Sequence, residues 1–215
     1  MAGMRSYNDG CGIAHALDVA GERWALLVVR ELLFGPKRFA DLRVGLPGVS
    51  ANILAQRLRE LEQARVLVRR TLAPPAGSRV YELTEWGREL EPVLVQLGKW
   101  GLRSAELPRD APISVDAVML SLRARFDARA AEGVAGVYEL RFGADRFRAV
   151  VADGRFELSR GVAENPVAVI ESGPRELDLV VSGDKPMSAL TDSGEMTVHG
   201  DKRAAERFTA LFTLD

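Results

Sequence analysis

The sequence predicts an α+β protein built in two parts, and three observations carry that prediction. Short helical patterns run into a proline-tipped β-rich segment between residues 39 and 83. Past residue 133 the hydrophobic period switches from that of a helix to strict alternation. The two halves also carry opposite charge: residues 1–104 hold 15 Lys+Arg against 11 Asp+Glu, net +4, whereas residues 105–215 hold 14 against 19, net −5, so the total of −1 hides a basic half.

The first helical pattern, residues 39–46, places Phe39, Leu42 and Leu46 on one face before Pro47-Gly48 forces a turn. Ser50 then offers an N-cap to a second helix, because its hydroxyl can accept from an orphan N–H of the first turn. Leu54, Leu58 and Leu61 fall at i, i+4 and i+7 and form a core stripe. Asn52, Gln56, Arg59 and Gln63 gather on the opposite side, and Arg57 borders the two faces. Residues 66–72 and 79–83 are rich in β-branched and aromatic residues around the run 74–78 (PPAGS), which reads as a hairpin with an exposed tip. Thr84 is a further N-cap for one long helix over 85–100, with Leu90, Val93, Leu94, Leu97 and Trp100 at helical spacing and Pro92 as its weak point.

A helix of this diameter fits the major groove, and Asn, Gln and Arg make paired hydrogen bonds to adenine and guanine edges. Lys37 and Arg38 precede the first helix, and Arg69, Arg70 and Arg79 flank the hairpin, where phosphates would lie with the second helix in the groove. A polar helix face alone is ordinarily just solvated. Its combination with the hairpin favours duplex DNA, with Lys37, Arg38, Ser50, Asn52, Gln56, Arg57, Arg59, Arg70 and Arg79 as candidate contacts. The acidic pair Glu60 and Glu62 reads most simply as solvated helix flank.

Four runs, 11–24 (CGIAHALDVAGERW), 26–39 (LLVVRELLFGPKRF), 54–61 (LAQRLREL) and 81–87 (YELTEWG), resemble the HxlR family of bacterial winged-helix transcription regulators. That resemblance implies a homodimer on a paired operator, with residues 50–64 in the major groove and the wing, 68–83, on the backbone or minor groove. It also implies a dimer interface made by residues 13–19 and 90–100. Gly12 stands where the family often has proline.

Cys11 lies four residues before His15 on the same presumptive helix, and a helix N-terminus favours the thiolate. A redox role is therefore open, but Asp9 opposes a thiolate and free cysteines are usually buried, so a buried dimer-interface cysteine is the favoured expectation.

Two prolines in residues 105–112 (AELPRDAP) mark a linker between domains 1–104 and 113–215. Beyond it, Val115, Val118, Met119, Leu122 and Phe126 predict an amphipathic helix ending near Glu132-Gly133. Alternation over 137–142, 146–151 and 155–159, with turns at 143–145 and 153–154, predicts an antiparallel meander. A strand over 167–170, a helix from Pro174, the run 186–190 (PMSAL), a strand around 196–199 and a helix from Asp201 to Phe212 complete the half.

Its runs 170–183 (IESGPRELDLVVSG) and 194–201 (GEMTVHGD) resemble the sterol carrier protein type 2 (SCP2) family. The resemblance implies an SCP2-like antiparallel sheet covered by helices around an apolar cavity. Phe142, Phe147, Phe156, Leu179, Met187, Leu190, Met196, Phe208 and Phe212 are the candidate lining, although each is individually an ordinary core residue at its spacing.

The two histidines, His15 and His199, sit in different halves, and no zinc-ligand spacing, phosphate loop or nucleophile elbow occurs, so neither an enzyme nor a cofactor or metal is expected. The absence of a long apolar run argues against a membrane, and one cysteine forms no intramolecular disulfide, which fits the cytoplasm. Two functions follow. The first is a regulator binding double-stranded operator DNA as a dimer and modulated by a hydrophobic small-molecule effector or partner. The alternative is a lipid or small-molecule carrier, or an interaction protein, whose winged helix serves dimerisation or protein contact.

Overall fold

The structure is a computed structural model that describes residues 6–73 and 77–212. The chain divides into two compact units, residues 1–94 and 95–215.

In the first unit α1 (Gly12–Ala20), α2 (Ala25–Leu32), α3 (Phe39–Gly45) and α4 (Ala51–Gln63) lead into the hairpin β1 (Leu67–Thr71) and β2 (Arg79–Leu83). Leu54, Leu58 and Leu61 are all buried, as their spacing requires, and join Val28, Val29, Leu32, Leu42 and Leu46 from α2 and α3 in one core. The α4 helix ends in a Schellman turn: Val66 N–H donates to Leu61 O, Arg65 N–H donates to Glu62 O, and Arg65 takes φ +61. Backbone bonds in both directions between Lys37 and Tyr81 tie the α2–α3 connection to β2.

The single long helix predicted after the hairpin is two, α5 (Glu85–Arg88) and α6 (Leu90–Leu102). Pro92 has no N–H to give the Arg88 carbonyl, and its ring crowds that carbonyl, so the helix breaks at Glu89.

In the second unit α7 (Val115–Arg125) stops at Phe126, short of the predicted end, and turns fill the interval to Gly133. Then come β3 (Gly136–Phe142), β4 (Asp145–Ala152), β5 (Arg155–Arg160), β6 (Ala168–Ser172), α8 (Pro174–Val181), α9 (Met187–Asp192), β7 (Met196–Gly200) and α10 (Lys202–Thr209). The sheet runs β5-β4-β3-β6-β7. It is mixed rather than antiparallel, because β6 lies parallel to β3.

A parallel neighbour demands a crossover, and residues 161–167 supply it. The crossover is fastened to β3 at two points: Ala163 N–H donates to Glu139 Oε2 at 2.7 Å, and Val167 N–H donates to Val137 O at 2.8 Å. Glu139 is thereby buried, with Arg141 as its partner. The other face of the sheet bears Tyr138, Phe147 and Phe156; there Phe208 of α10 stacks on Tyr138 at 4.4 Å, and Phe212 meets Phe156 at 5.1 Å.

Candidate nucleic-acid interface

The candidate surface is built on α4. Ser50 Oγ accepts from Ile53 N–H at 3.2 Å, fixing the helix start immediately after the Pro47-Gly48 turn. With one side of α4 sunk in the core, Asn52, Gln56, Arg59 and Gln63 share the exposed side. Gln56 Nε2 donates to Glu60 Oε1 at 3.0 Å.

Arg57 does not belong to that exposed side. It is buried at 7% exposure, with Nη1 2.7 Å from Glu60 Oε2 and 3.5 Å from Glu22 Oε2. The 2.7 Å approach is off the hydrogen-bond angle and therefore mainly Coulombic, and Nε has no aligned acceptor. A residue on the border of two faces turns inward when carboxylates wait there, and the sequence assignment of Arg57 to DNA is corrected accordingly.

Lys37 is a second correction. Its Nζ lies 2.8 Å from Glu31 Oε2, and Glu31 is fully buried with Arg30 on its other oxygen, so this lysine serves the interior of the unit. Space for that carboxylate comes from Gly45, where a Cβ would stand 2.0 Å from Glu31 Oε2. Arg38 is exposed, while its backbone N–H donates to Asp41 Oδ2 at 3.1 Å and caps α3.

The hairpin register pairs Arg69 with Tyr81, Arg70 with Val80 and Thr71 with Arg79. Side chains alternate along a strand, so Arg69, Thr71 and Arg79 share one face and Arg70 shares the other with Glu82. Glu82 pairs with Arg70 and also with Arg88, at 3.1 Å to the latter. The proline tip, residues 74–76, lies outside the described residues. At the base of the hairpin Thr84 Oγ1 donates to Arg65 O at 2.7 Å and accepts from Gly87 N–H at 3.0 Å, while Thr84 N–H donates to Val66 O at 3.0 Å. Gly87 fits because a Cβ there would meet Val66 O at 2.0 Å.

Cys11 is the exposed N-cap residue of α1. The Ala14 and Ile13 N–H groups of the first turn pull its thiol below the ordinary value of 9.0, although Asp9 stands close enough to accept from Cys11 N–H at 2.9 Å. On α1, Ile13 and Leu17 are exposed; on α6, so are Val93, Leu97 and Trp100, the two extremes being Ile13 at 72% and Trp100 at 70%.

Of the residues singled out as a pocket lining, Phe142, Phe147, Met187, Leu190, Met196, Phe208 and Phe212 are buried, and Phe156 and Leu179 are half-buried. Phe156, Phe208 and Phe212 meet one another at 5.0–6.3 Å and Phe126 meets Phe156 and Phe212 at 5.3 and 6.2 Å, whereas Phe142 and Phe147 form a separate edge-on pair at 6.3 Å. Among the described residues no group of three or more His, Cys, Asp or Glu could hold a metal ion, and no helix is long and apolar enough to cross a membrane.

Sequence reasoning took Glu60 for solvated flank, named Arg69 only as a flank of the hairpin, and passed over Glu31. Glu60 is a working member of α4, and its i, i+4 and i, i+3 spacing to Gln56 and Arg57 was the available signal. Arg69 shares its strand face with Arg79, which the alternation of the hairpin encodes. Glu31 carried no signal, since an acid inside an apolar helix becomes intelligible only once Lys37 and Gly45 converge on it.

A family profile described as HxlR-like helix-turn-helix matches residues 19–108. The chain is similar to the HTH-type transcriptional regulator YvaP of Bacillus subtilis, 40% identical over 86 residues that make up 40% of this chain and 79% of the relative. It is similar also to YdeP of the same organism, 36% identical over 93 residues, 43% of this chain and 73% of the relative. Among solved structures, the reduced form of the transcriptional regulator YodB from B. subtilis is 33% identical, with 46% of this chain and 97% of that one covered and a TM-score of 0.40. Residues 109–215 lie outside the profile match. Through its first half, this chain belongs to the HxlR-like helix-turn-helix family.

Proposed function

We propose that the chain is a transcriptional regulator that binds operator DNA as a homodimer, with α4 in the major groove and the hairpin on the flanking backbone or minor groove. The observation that carries this reading is the division of α4: a fully buried leucine stripe on one side, and Asn52, Gln56, Arg59 and Gln63 exposed together on the other, behind a capped start. Arg38 at the N-cap of α3 and Arg79 from β2 are the candidate phosphate contacts, with Arg69 beside Arg79. Exposed apolar residues on α1 and α6 supply the dimer contacts. Residues 1–104 form the DNA-binding and dimerisation part, since α6 runs unbroken past the division at residue 94 to Leu102, and residues 105–112 form the connector.

For the second half we propose an SCP2-like domain that takes an apolar effector. The support is a sheet with α10 packed on its aromatic face and the helix-strand-helix order from α8 to α10. An effector acts on DNA binding only by binding one arrangement of the dimer more tightly than another.

The deciding measurement is the salt dependence of binding to duplexes selected from a random pool. A dimer that neutralises about six phosphates loses roughly three orders of magnitude in affinity between 50 and 200 mM salt. Absence of duplex affinity at low salt would leave the winged helix as a protein-contact module.

A further inference from the structure

One side chain on the exposed face of α4 is not free to turn. Gln56 Nε2 donates to Glu60 Oε1 at 3.0 Å, and an ionised carboxylate only accepts, so the nitrogen of the amide must face it. Glu60 is held in turn. Its Oε1 accepts a second bond from Arg57 Nη2 at 3.3 Å, and its Oε2 stands 2.7 Å from Arg57 Nη1. Arg57 is buried and is further anchored by Glu22 at 3.5 Å, from the connection between α1 and α2. An exposed Gln–Glu pair alone orients weakly. Here the carboxylate is placed beforehand by a buried guanidinium, so less freedom is lost when the amide aligns.

Among the described residues no group donates to Gln56 Oε1. An outward acceptor needs a donor, and in the major groove the donors are the exocyclic amino groups of adenine and cytosine, whereas guanine N7 and O6 and thymine O4 only accept. We infer that Glu60, set by Arg57, is a positioning residue that turns Gln56 Oε1 outward and so favours, at this point of the helix, a base bearing an amino group, adenine or cytosine. The inference rests on the proposed role of α4 in the groove.

Full-length protein, and its Gln56→Ala and Glu60→Ala variants, are used to select fragments from random duplex DNA. The base pair at which Gln56→Ala loses discrimination marks the contact. At that pair, analogues lacking the amino group (purine for adenine, 2-pyrimidinone for cytosine) are compared with analogues lacking the exocyclic oxygen (2-aminopurine for guanine, 5-methyl-2-pyrimidinone for thymine). Removing the amino group should weaken wild-type binding roughly five- to tenfold and leave Gln56→Ala binding unaffected, while removing the oxygen should not. In Glu60→Ala no acceptor faces the amide, nothing dictates which end of Gln56 faces out, and the amino-group dependence should collapse. The inference is overturned by a loss that follows the oxygen, by a Glu60→Ala protein that keeps the wild-type dependence, or by a Gln56→Ala protein that discriminates as before. Should a variant fail to fold, the wild-type comparison of the two analogue classes decides alone. A wild-type protein that selects no duplex is a separate result, removing the regulator reading itself.

Discussion

Arg57 stands where a helical projection leaves a residue undecided, and the structure turns it inward because two carboxylates, Glu22 and Glu60, are available there. Both acids retain access to water, so losing their cation costs less than it would in a sealed interior; the larger loss is the packing of the arginine stem. Arg57→Ala is expected to lower stability by about 2 kcal/mol and Arg57→Met by less than about 1 kcal/mol, read from urea unfolding. Glu139 is the converse, an acid sealed under a crossover. Desolvation pushes its carboxyl upward, but the Ala163 N–H and the Arg141 and Arg146 guanidiniums outweigh that and leave it below its ordinary 4.5. A folded value below the unfolded one means a stabilising contribution that is complete above the unfolded value and is lost as pH falls through the folded one. Glu139→Gln should therefore cost about 1–2 kcal/mol at neutral pH, with the difference from wild type shrinking as acid protonates the carboxylate; urea titrations at both ends of that range check it. At this scale the exposed residues of α4 were legible because period alone fixes a helix face. Arg57 and Lys37 were not, because their partners come from elsewhere in the chain.

Elements were legible where local chemistry announces them. Ser50 and Thr84 each precede a helix and each caps it, and the meander turns fall where Gly143 and Asp153-Gly154 allow. What the sequence could not convey was the direction of β6, since alternation is the same in a strand whichever way its neighbour runs. The end of α4 falls within one residue of the expected span 50–64, although its glycine signal is missing: Arg65 occupies the left-handed position usually given to glycine. Arg65→Gly removes the Cβ strain and is expected to raise stability by about 0.5–1 kcal/mol, seen as a higher Tm; an unchanged or lower Tm would show that the side chain earns its place by other contacts.

At the scale of the molecule, family membership was readable from four short runs in the first half, whereas residues 109–215 fall beyond the family match and had to be argued from element order. The apolar residues left on α6 make a prediction of their own. If α6 contributes to a homodimer, Trp100→Glu should yield monomers in sedimentation velocity at concentrations where wild type is dimeric, and operator affinity should fall with it, because two half-sites no longer bind as a linked pair.

Thr84 joins the end of α4, the root of the hairpin and the start of α5 in one knot of hydrogen bonds, and Gly87 closes it too tightly for any side chain to be inserted. Helix α4 and the hairpin are thus tied to each other at their junction. If an effector tunes the proposed dimer, this knot leaves the separation and tilt between two copies of α4 as its lever, and induced and uninduced states should footprint the same half-site bases while differing in the spacing they tolerate.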